Sequence, residues 1–347
     1  MPNLILDLTL DEIAVWLAEN AQPRFRAAQV WQGLYQHCFA DFDQFSNIPK
    51  ALKQALEQAF TIQPLTDLRH VVSKDGLTEK TLFSLPDGER IETVLMRYDT
   101  RNTLCISTQS GCAMGCAFCA TGQMGFKRHL SAGEIIAQVL HFERHLRANE
   151  DHLTNIVVMG MGEPFHNYDA TLSAIRTLND PNGFNMGARR FTISTVGLVP
   201  QIQRFAEEDL QVNLAISLHA AEDALRSSIV PINRTFPIAK LMEACRYYTQ
   251  KTNRRITFEY ALIAGVNDSQ DHAYALANLL KGVLCHVNLI SLNPSPAYAK
   301  PGSKAEQVRT FAEILNAKHI QTTVRLRRGI EIQAGCGQLA SQNDLMI

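Results

Sequence analysis

The sequence contains no run of eighteen apolar residues, which excludes a hydropathy-defined transmembrane helix. Its start, Met1-Pro2-Asn3-Leu4, lacks the basic n-region of a secretory signal and turns acidic within a few residues. A cytoplasmic, reducing location is therefore expected. Neither G-x-G-x-x-G nor G-x-x-x-x-G-K-[S/T] occurs, so the phosphate cradles of the common nucleotide-binding folds have no support. No internal repeat or low-complexity segment is found. Net charge is also lacking: the formal value is −1, so contact with a nucleic acid has to come from local basic clusters. Cysteine is scarce at 8 of 347 residues, and in a reducing compartment clustered thiols read as metal-binding or catalytic rather than as disulfides.

The remaining composition, 46% hydrophobic and 19% charged, is that of a soluble globular chain long enough for one large domain and one small one. Thr9-Leu10-Asp11-Glu12 is a capping-box pattern, continued at helical spacing by Ile13, Trp16 and Leu17. Pro23 is placed to open a second helix and Pro49 a third, so residues 1–62 read as a small helical accessory domain. Over 63–98 the pattern changes to short strands at Leu68–Val72, Lys80–Leu85 and Arg90–Met96, read as a β-hairpin linker region turning at Pro86-Asp87-Gly88.

Over 99–340 strands alternate with helices. Strands are expected at Thr103–Ser107, Asn155–Met159, Phe191–Ser194, Val212–Ser217, Ile256–Ile263, Val287–Ser291 and Thr323–Leu326. Helices are expected at Ser131–His145, Tyr168–Leu178, Val199–Glu207, Ile238–Thr252, Ser269–Lys281 and Ser303–Ala317. This rhythm predicts an α/β fold with a mostly parallel sheet, and six or seven units favour a partial (βα) barrel over a doubly wound sheet. In a barrel the chemistry sits at the carboxyl ends of the strands. Those ends carry Gly160-Met161-Gly162-Glu163-Pro164, Ser194-Thr195, Ser217-Leu218-His219 and Asn293-Pro294. Glycines let a backbone approach a ligand, while a carboxylate and hydroxyls hold an amino group and a ribose.

Three of the cysteines, Cys112, Cys116 and Cys119, fall within eight residues at spacing C-x3-C-x2-C, on the loop after the first parallel strand. Three thiolates on one loop can turn inward on one centre, and soft sulfur selects zinc, copper(I) or iron–sulfur iron. A closed zinc site needs four ligands, and the nearest extra candidates, Cys105 and His129, lack zinc-motif spacing. An iron–sulfur cube held by three cysteines keeps one iron open.

With Phe118 before the last cysteine, the motif resembles that of radical S-adenosylmethionine enzymes. Leu104 to Cys112, Ala120 to Phe126, Gly160 to Pro164, Ser217-Leu218-His219 and Ala334 to Leu339 are similar to the adenine-C2 methyltransferase branch of that family, over nearly the whole chain. The resemblance implies a partial barrel of radical S-adenosylmethionine type with a helical N-terminal domain. It implies a 4Fe–4S cluster on Cys112, Cys116 and Cys119, and S-adenosylmethionine held by Gly162, Glu163, Ser194, Ser217, Leu218, His219 and Asn293. It makes Cys336 the methyl-carrying cysteine, Cys105 its resolving partner, and Glu92 the general base.

The reaction so implied methylates adenine C2 in 23S rRNA and in tRNA 3′ of the anticodon. Carbon 2 lies between two ring nitrogens and is too electron-poor to attack a sulfonium. Cys336 therefore takes a methyl group from one S-adenosylmethionine, and a deoxyadenosyl radical from a second removes a hydrogen from it. The carbon adds to adenine, the C2 proton leaves, and Cys105 attacks Cys336 to release RNA, leaving a disulfide for later reduction. Implied partners are the two RNAs and an electron donor such as flavodoxin or ferredoxin, with a monomeric chain and no membrane.

A sister activity methylates carbon 8 with an equivalent cysteine set; Gln123-Met124-Gly125-Phe126 looks more like the C2 branch. A non-enzymatic iron–sulfur RNA-binding module has no use for Cys336. The candidate phosphate contacts are Lys127-Arg128, Arg189-Arg190, Arg254-Arg255 and Arg325 with Arg327-Arg328, for a base that has to be extruded to be reached. Cys38, Cys245 and Cys285 read as structural.

Overall fold

The computed structural model describes residues 3–295 and 298–340. A short parallel pairing of β1 (Asn3–Leu4) with β2 (Phe60–Thr61) ties the ends of the N-terminal unit together. Between them lie α1 (Leu10–Glu19), α2 (Arg26–Tyr35) and α3 (Lys50–Ala59). The Thr9 capping box forms in both directions: the Glu12 amide donates to Thr9 Oγ1 at 3.2 Å and the Thr9 amide to Glu12 Oε2 at 2.7 Å. Helix α2 starts three residues later than expected, because Pro23 opens a turn whose carbonyl accepts from the Arg26 amide at 3.0 Å. The buried stripes of the three helices, including Leu17, Val30, Leu34, Leu52 and Leu56, make this unit's core. It is joined to the body by polar contacts: Trp31 donates to Asp180 at 2.8 Å, and Asp7 accepts from the Gly133 amide at 2.7 Å.

Strands β3 (Thr66–Val72), β4 (Thr78–Ser84) and β5 (Arg90–Tyr98) form an antiparallel meander. It continues directly into the main sheet, because β5 pairs with β6 (Arg101–Cys105) in a register that sets Val94 opposite Cys105. A small hairpin follows, β7 (Gln109–Gly111) with β8 (Phe126–His129), enclosing α4 (Ala120–Gln123). Then α5 (Ala132–Arg147), β9 (Asn155–Val158), α6 (Tyr168–Asn179), β10 (Phe191–Thr195), α7 (Val199–Ala206) and β11 (Asn213–Ser217) alternate. After α8 (Asp223–Ile229) and α9 (Ile238–Thr252) come β12 (Ile256–Leu262), α10 (Gln270–Leu280), β13 (Cys285–Ser291), α11 (Ala305–Ala317) and β14 (Thr322–Val324).

The ten-stranded sheet runs β14-β13-β12-β11-β10-β9-β6-β5-β4-β3, with β6 and β9 to β14 all parallel. Each new parallel strand adds on the same side as the last, with no reversal of order. A doubly wound sheet would reverse, so this is the winding of a barrel left open. Its outer face is sealed by apolar helix faces on residues such as Ile156, Ile193, Leu214 and Phe258, all fully buried. The strands differ from expectation mainly at their ends. Strand β6 stops at Cys105 because Ser107 next turns its hydroxyl onto the Glu92 carbonyl at 2.6 Å, and β14 stops at Val324, leaving Leu326 82% exposed.

Candidate active site

The cysteine loop is pinched off by the β7–β8 hairpin. At its neck Gly111 has φ +71°, and a Cβ there would lie 1.9 Å from the Gly125 carbonyl oxygen, so only glycine fits. The Cys112 amide donates to that same carbonyl at 3.0 Å. Gly115 (φ +62°) turns the chain between Cys112 and Cys116. The Cys116 carbonyl accepts from the Cys119 amide at 3.1 Å and from Gln123 Nε2 at 3.0 Å, and the Ala117 amide fastens the loop to the Ile229 carbonyl at 3.0 Å.

Cys112 and Cys116 are buried and Cys119 half-buried. Burial pushes the Cys112 thiol up to about 12 and raises the other two, and at Cys116 its two neighbours in the motif raise it further. Three thiolates this close repel one another until a cationic centre binds them. Beneath them Arg226 is fully buried with no carboxylate hydrogen-bonded to it. It donates to the Leu218, Val196 and Ser217 carbonyls at 3.0, 2.6 and 3.1 Å and to Asn233 at 2.8 Å, and its charge draws the Cys116 thiol down. A buried guanidinium is costly without nearby negative charge; Asp223 supplies some through space, and a thiolate at Cys116 would add more. Among the described residues no three Cys, His, Asp or Glu converge tightly enough for a single metal ion. Three soft thiols on one loop, with a buried guanidinium acting on Cys116, are a donor set that fits an iron–sulfur cube with one iron left open.

The strand ends surround a cavity of about 160 Å³ beside this loop. Of the residues expected to hold S-adenosylmethionine, Gly162, Glu163, Ser194, Ser217, His219 and Asn293 line it, together with Cys116 and Cys119. Gly162 (φ +103°) packs against Gln109 so closely that a Cβ would sit 2.6 Å from that side chain. Glu163 is buried and accepts from the Phe165 and Val196 amides at 3.0 and 2.9 Å, yet burial outweighs these bonds and holds its carboxyl at about 7. The Ser194 and Ser217 hydroxyls lie 3.3 Å apart. His219 Nδ1 accepts from the Ala261 amide at 3.0 Å, and burial pushes the imidazole down to about 3. It is therefore the neutral tautomer with its proton on Nε2, a fixed donor. Asn293 Oδ1 is buried and has no hydrogen-bond partner among the described residues, an acceptor left open beside the cavity.

Leu218 is the exception. Its side chain is fully buried and is not among the cavity-lining residues; its amide donates to Glu259 O at 3.0 Å and its carbonyl accepts from Arg226. It shapes the strand end rather than presenting a side chain.

A second cavity, about 120 Å³, is lined by Cys105, Cys119 and Cys336, and Cys119, Asn293 and Cys336 line the first cavity as well. Cys336 is reachable from solvent, yet enough protein surrounds its sulfur to raise the thiol, opposed by the Arg325 guanidinium. Cys105 is buried and pushed up to about 12, first by burial and then by Cys336. Both are free thiols. Glu92 lies outside both linings: its Oε1 meets Lys80 Nζ at 2.8 Å, its Oε2 accepts from the Ala340 amide at 2.9 Å, and burial raises its carboxyl.

The open barrel interior forms a third cavity of about 860 Å³, lined by Arg101, Arg189, Arg254, Arg255, Arg325 and Arg328 with Glu259 the one carboxylate. It shares Met159, Glu259 and Arg325 with the first cavity. Lys127, Arg128, Arg190 and Arg327 are not in its lining, and Arg128 is instead paired with Asp87 and Glu134. Sequence reasoning passed over Glu259, whose Oε1 accepts from Asn288 at 2.9 Å and whose Oε2 faces the Arg325 guanidinium at 3.7 Å. An acidic residue in the apolar strand Ile256–Leu262 was the signal for it. Lys80, Gln109 and Arg226 were missed as well, and the apolar context of Arg226 was visible only once α8 was known.

Two family models match: the radical SAM superfamily over residues 106–277, and the ribosomal RNA large subunit methyltransferase N-terminal domain over residues 3–62. A probable dual-specificity RNA methyltransferase RlmN of Geobacillus kaustophilus is 47% identical over 97% of this chain and 92% of its own length. One of Staphylococcus aureus is 47% identical over 99% of this chain and 95% of its own. The crystal structure of a radical SAM methyltransferase from Sphaerobacter thermophilus superposes with a TM-score of 0.96 at 52% identity, covering 98% of this chain and all of that one. No helix among the described residues is long and apolar enough to cross a membrane. With a thiol triad, a ligand cavity at the strand ends and these relatives at nearly full length, the chain belongs to the radical S-adenosylmethionine RNA methyltransferases of the RlmN family.

Proposed function

We propose that this enzyme methylates carbon 2 of adenine in 23S rRNA and in tRNA, 3′ of the anticodon, carrying the new carbon on Cys336 and releasing the product through Cys105. The observation that carries the reading is the single cavity walled by Cys105, Cys336 and Cys119. Two free thiols facing one space suit a carrier and a resolver, and a cluster thiol at its edge puts both beside the site of radical generation.

The cluster, on Cys112, Cys116 and Cys119, would supply an electron that cleaves S-adenosylmethionine to a carbon radical able to take hydrogen from a methyl group. The protein's own residues do the rest. Glu163 and Asn293 receive the amino acid end of S-adenosylmethionine, Ser194 and Ser217 its ribose, and His219 donates from Nε2. Cys336 becomes a thioether, then the anchor of RNA. Arg325, which draws its thiol down, favours the thiolate needed for methyl capture. Glu92, with a raised carboxyl, takes the C2 proton and the adduct gives back the one electron that started the sequence. Cys105 then attacks the Cys336 sulfur, the S–S bond forms as the S–C bond breaks, and the freed carbon takes a proton as RNA leaves. Two S-adenosylmethionine molecules are consumed per turnover, and flavodoxin or ferredoxin supplies electrons.

The arginines of the barrel interior form the path by which RNA phosphates approach. Arg254→Ala and Arg255→Ala are each expected to weaken RNA binding across sequences and to lower the slope of log affinity against log salt by about 1, read by filter binding. A second expectation concerns Glu163. Its folded carboxyl lies near 7, above the ordinary 4.5, so the unliganded site is protonated below that value and ionised above it. An amino group binds the ionised form, so S-adenosylmethionine affinity should climb as pH rises from about 6 to 8 by calorimetry, and Glu163→Gln should be weaker and flat over that range.

The reading is tested by incubating reconstituted protein anaerobically with reductant, S-adenosylmethionine and unmodified 23S or tRNA fragments, followed by nucleoside mass spectrometry. 2-Methyladenosine is expected. 8-Methyladenosine would place the enzyme in the sister activity, and no methylated adenosine would sink the proposal.

A further inference from the structure

The segment that carries Cys336 has no helix or strand of its own between Val324 and Ala340, so its shape depends on what fastens it. One fastening lies outside the lining of both cavities and includes Glu92, the proposed base. Lys80 on β4 and Glu92 on β5 are diagonal neighbours on one face of the meander, since Leu82 pairs with Glu92 and Lys80 with Val94. Their side chains are 11% and 5% exposed and meet at 2.8 Å. Each also holds the Cys336 segment: Lys80 Nζ donates to the Gln333 carbonyl at 3.1 Å, and Glu92 Oε2 accepts from the Ala340 amide at 2.9 Å. The two anchor points fall three residues before Cys336 and four after it.

The backbone between those feet is not one that relaxes into place unaided. Gln333 sits at φ +53°, a left-handed conformation that a non-glycine residue adopts at a cost and keeps only when its surroundings fix it. Within the segment Gly335 donates to Gln338 Oε1 at 3.0 Å. From the cluster side, Gly337 O accepts from the Ala120 amide at 2.8 Å, and Leu339 O from Thr121 Oγ1 at 2.6 Å. The meander thus grips the feet of the loop while the cysteine loop grips its crown.

We propose that the buried Lys80–Glu92 ion pair is a latch that positions the Cys336 loop, fixing its sulfur in the cavity between the cluster thiols and Cys105. A buried pair is a poor way to gain stability, because desolvating both charges offsets most of their attraction. It is an effective way to hold two backbone points at a fixed separation, because each charge keeps its loop partner by a charge-assisted hydrogen bond. Lys80 lines neither cavity, and its partner Glu92 takes part only after RNA has joined, so at the S-methylation step Lys80 is a positioning residue acting through the loop. The inference rests on the proposed role of Cys336 for its functional consequence, though not for its geometry.

The test uses cluster-loaded protein with Lys80→Met, Lys80→Arg and wild type. Hydrogen exchange over residues 329–340 should be at least tenfold faster in Lys80→Met, with peptides from β10 to β12 unchanged. In the absence of RNA, the fraction of Cys336 that becomes S-methylated in a fixed time should fall by a similar factor, and RNA affinity should stay as in wild type. Lys80→Arg, which keeps the charge and the donor, should restore most of both. Unchanged exchange in 329–340 overturns the latch. Faster exchange with undiminished S-methylation overturns its positioning role. If Lys80→Met lowers protection throughout the sheet, the pair is merely structural, and that result too overturns the proposal. Failure of the Cys336 assignment itself shows separately, as RNA methylation that survives Cys336→Ala.

Discussion

Cys336→Ala should reduce RNA methylation by at least roughly 10³-fold while leaving the cluster and the cleavage of S-adenosylmethionine intact, and Cys105→Ala should instead accumulate protein covalently bound to RNA. The first effect is expected because removing a group that forms the covalent intermediate removes the route, and residual rates in such variants come only from binding and orientation. The second follows from the geometry. Cys105 and Cys336 share one cavity, and Cys105 lies on β6 opposite Val94, where the backbone cannot withdraw without opening the sheet. With its thiol pushed up to about 12, Cys105 is almost wholly protonated in the resting enzyme, so it neither captures methyl groups itself nor pairs prematurely. It acts only when Cys336 carries a leaving group. Denaturing gels would show an adduct in Cys105→Ala and none in the double variant. Equal turnover in Cys105→Ala and wild type would remove the resolving role.

The second large effect belongs to the cysteine loop. Cys116→Ala should lose the cluster, seen as loss of iron and of the broad visible absorbance, and with it all S-adenosylmethionine cleavage. Gly111→Ala should do nearly the same without touching a ligand. Its added methyl would lie 1.9 Å from the Gly125 carbonyl, which also accepts the Cys112 amide, and φ +71° is costly for alanine. The hairpin neck must open, and Cys112 moves with it. Iron content after reconstitution is the measurement: a value near that of Cys112→Ala is expected for Gly111→Ala, and a wild-type value would show that the neck does not set the ligand geometry.

Much of this was legible in the chain before any coordinates. The strand–helix alternation from Thr103 onward located all seven parallel strands, because a barrel strand is a short apolar run and its helix an amphipathic one. The C-x3-C-x2-C motif and the polar strand ends meet at one cavity, as strand ends of a barrel converge. Leu218 shows what a motif leaves open: it assigns a position, while only the fold shows that the side chain there is buried away from the cavity. What was hidden depended on partners distant in sequence. The β7–β8 hairpin is three and four residues long, too short for periodicity to announce it. Strands of the 63–98 region read as a hairpin alone, because nothing local reveals that Val94 meets Cys105 and extends the sheet. Of the basic pairs, Arg189, Arg254, Arg255 and Arg325 face the barrel interior while Arg128 is spent on Asp87 and Glu134, a distinction that depends on packing and not on composition.

The central claim is that the carbon delivered to adenine comes from Cys336, and isotopic transfer tests it most directly. Protein reconstituted without RNA is first given trideuteromethyl S-adenosylmethionine, so that Cys336 carries the labelled methyl group. It is then freed of excess label and given RNA with unlabelled S-adenosylmethionine for a single turnover. Because one hydrogen is removed from the S-methyl group and another gained on release, the methyladenosine formed should carry two deuteriums. Product without label would mean that the methyl group never resided on Cys336.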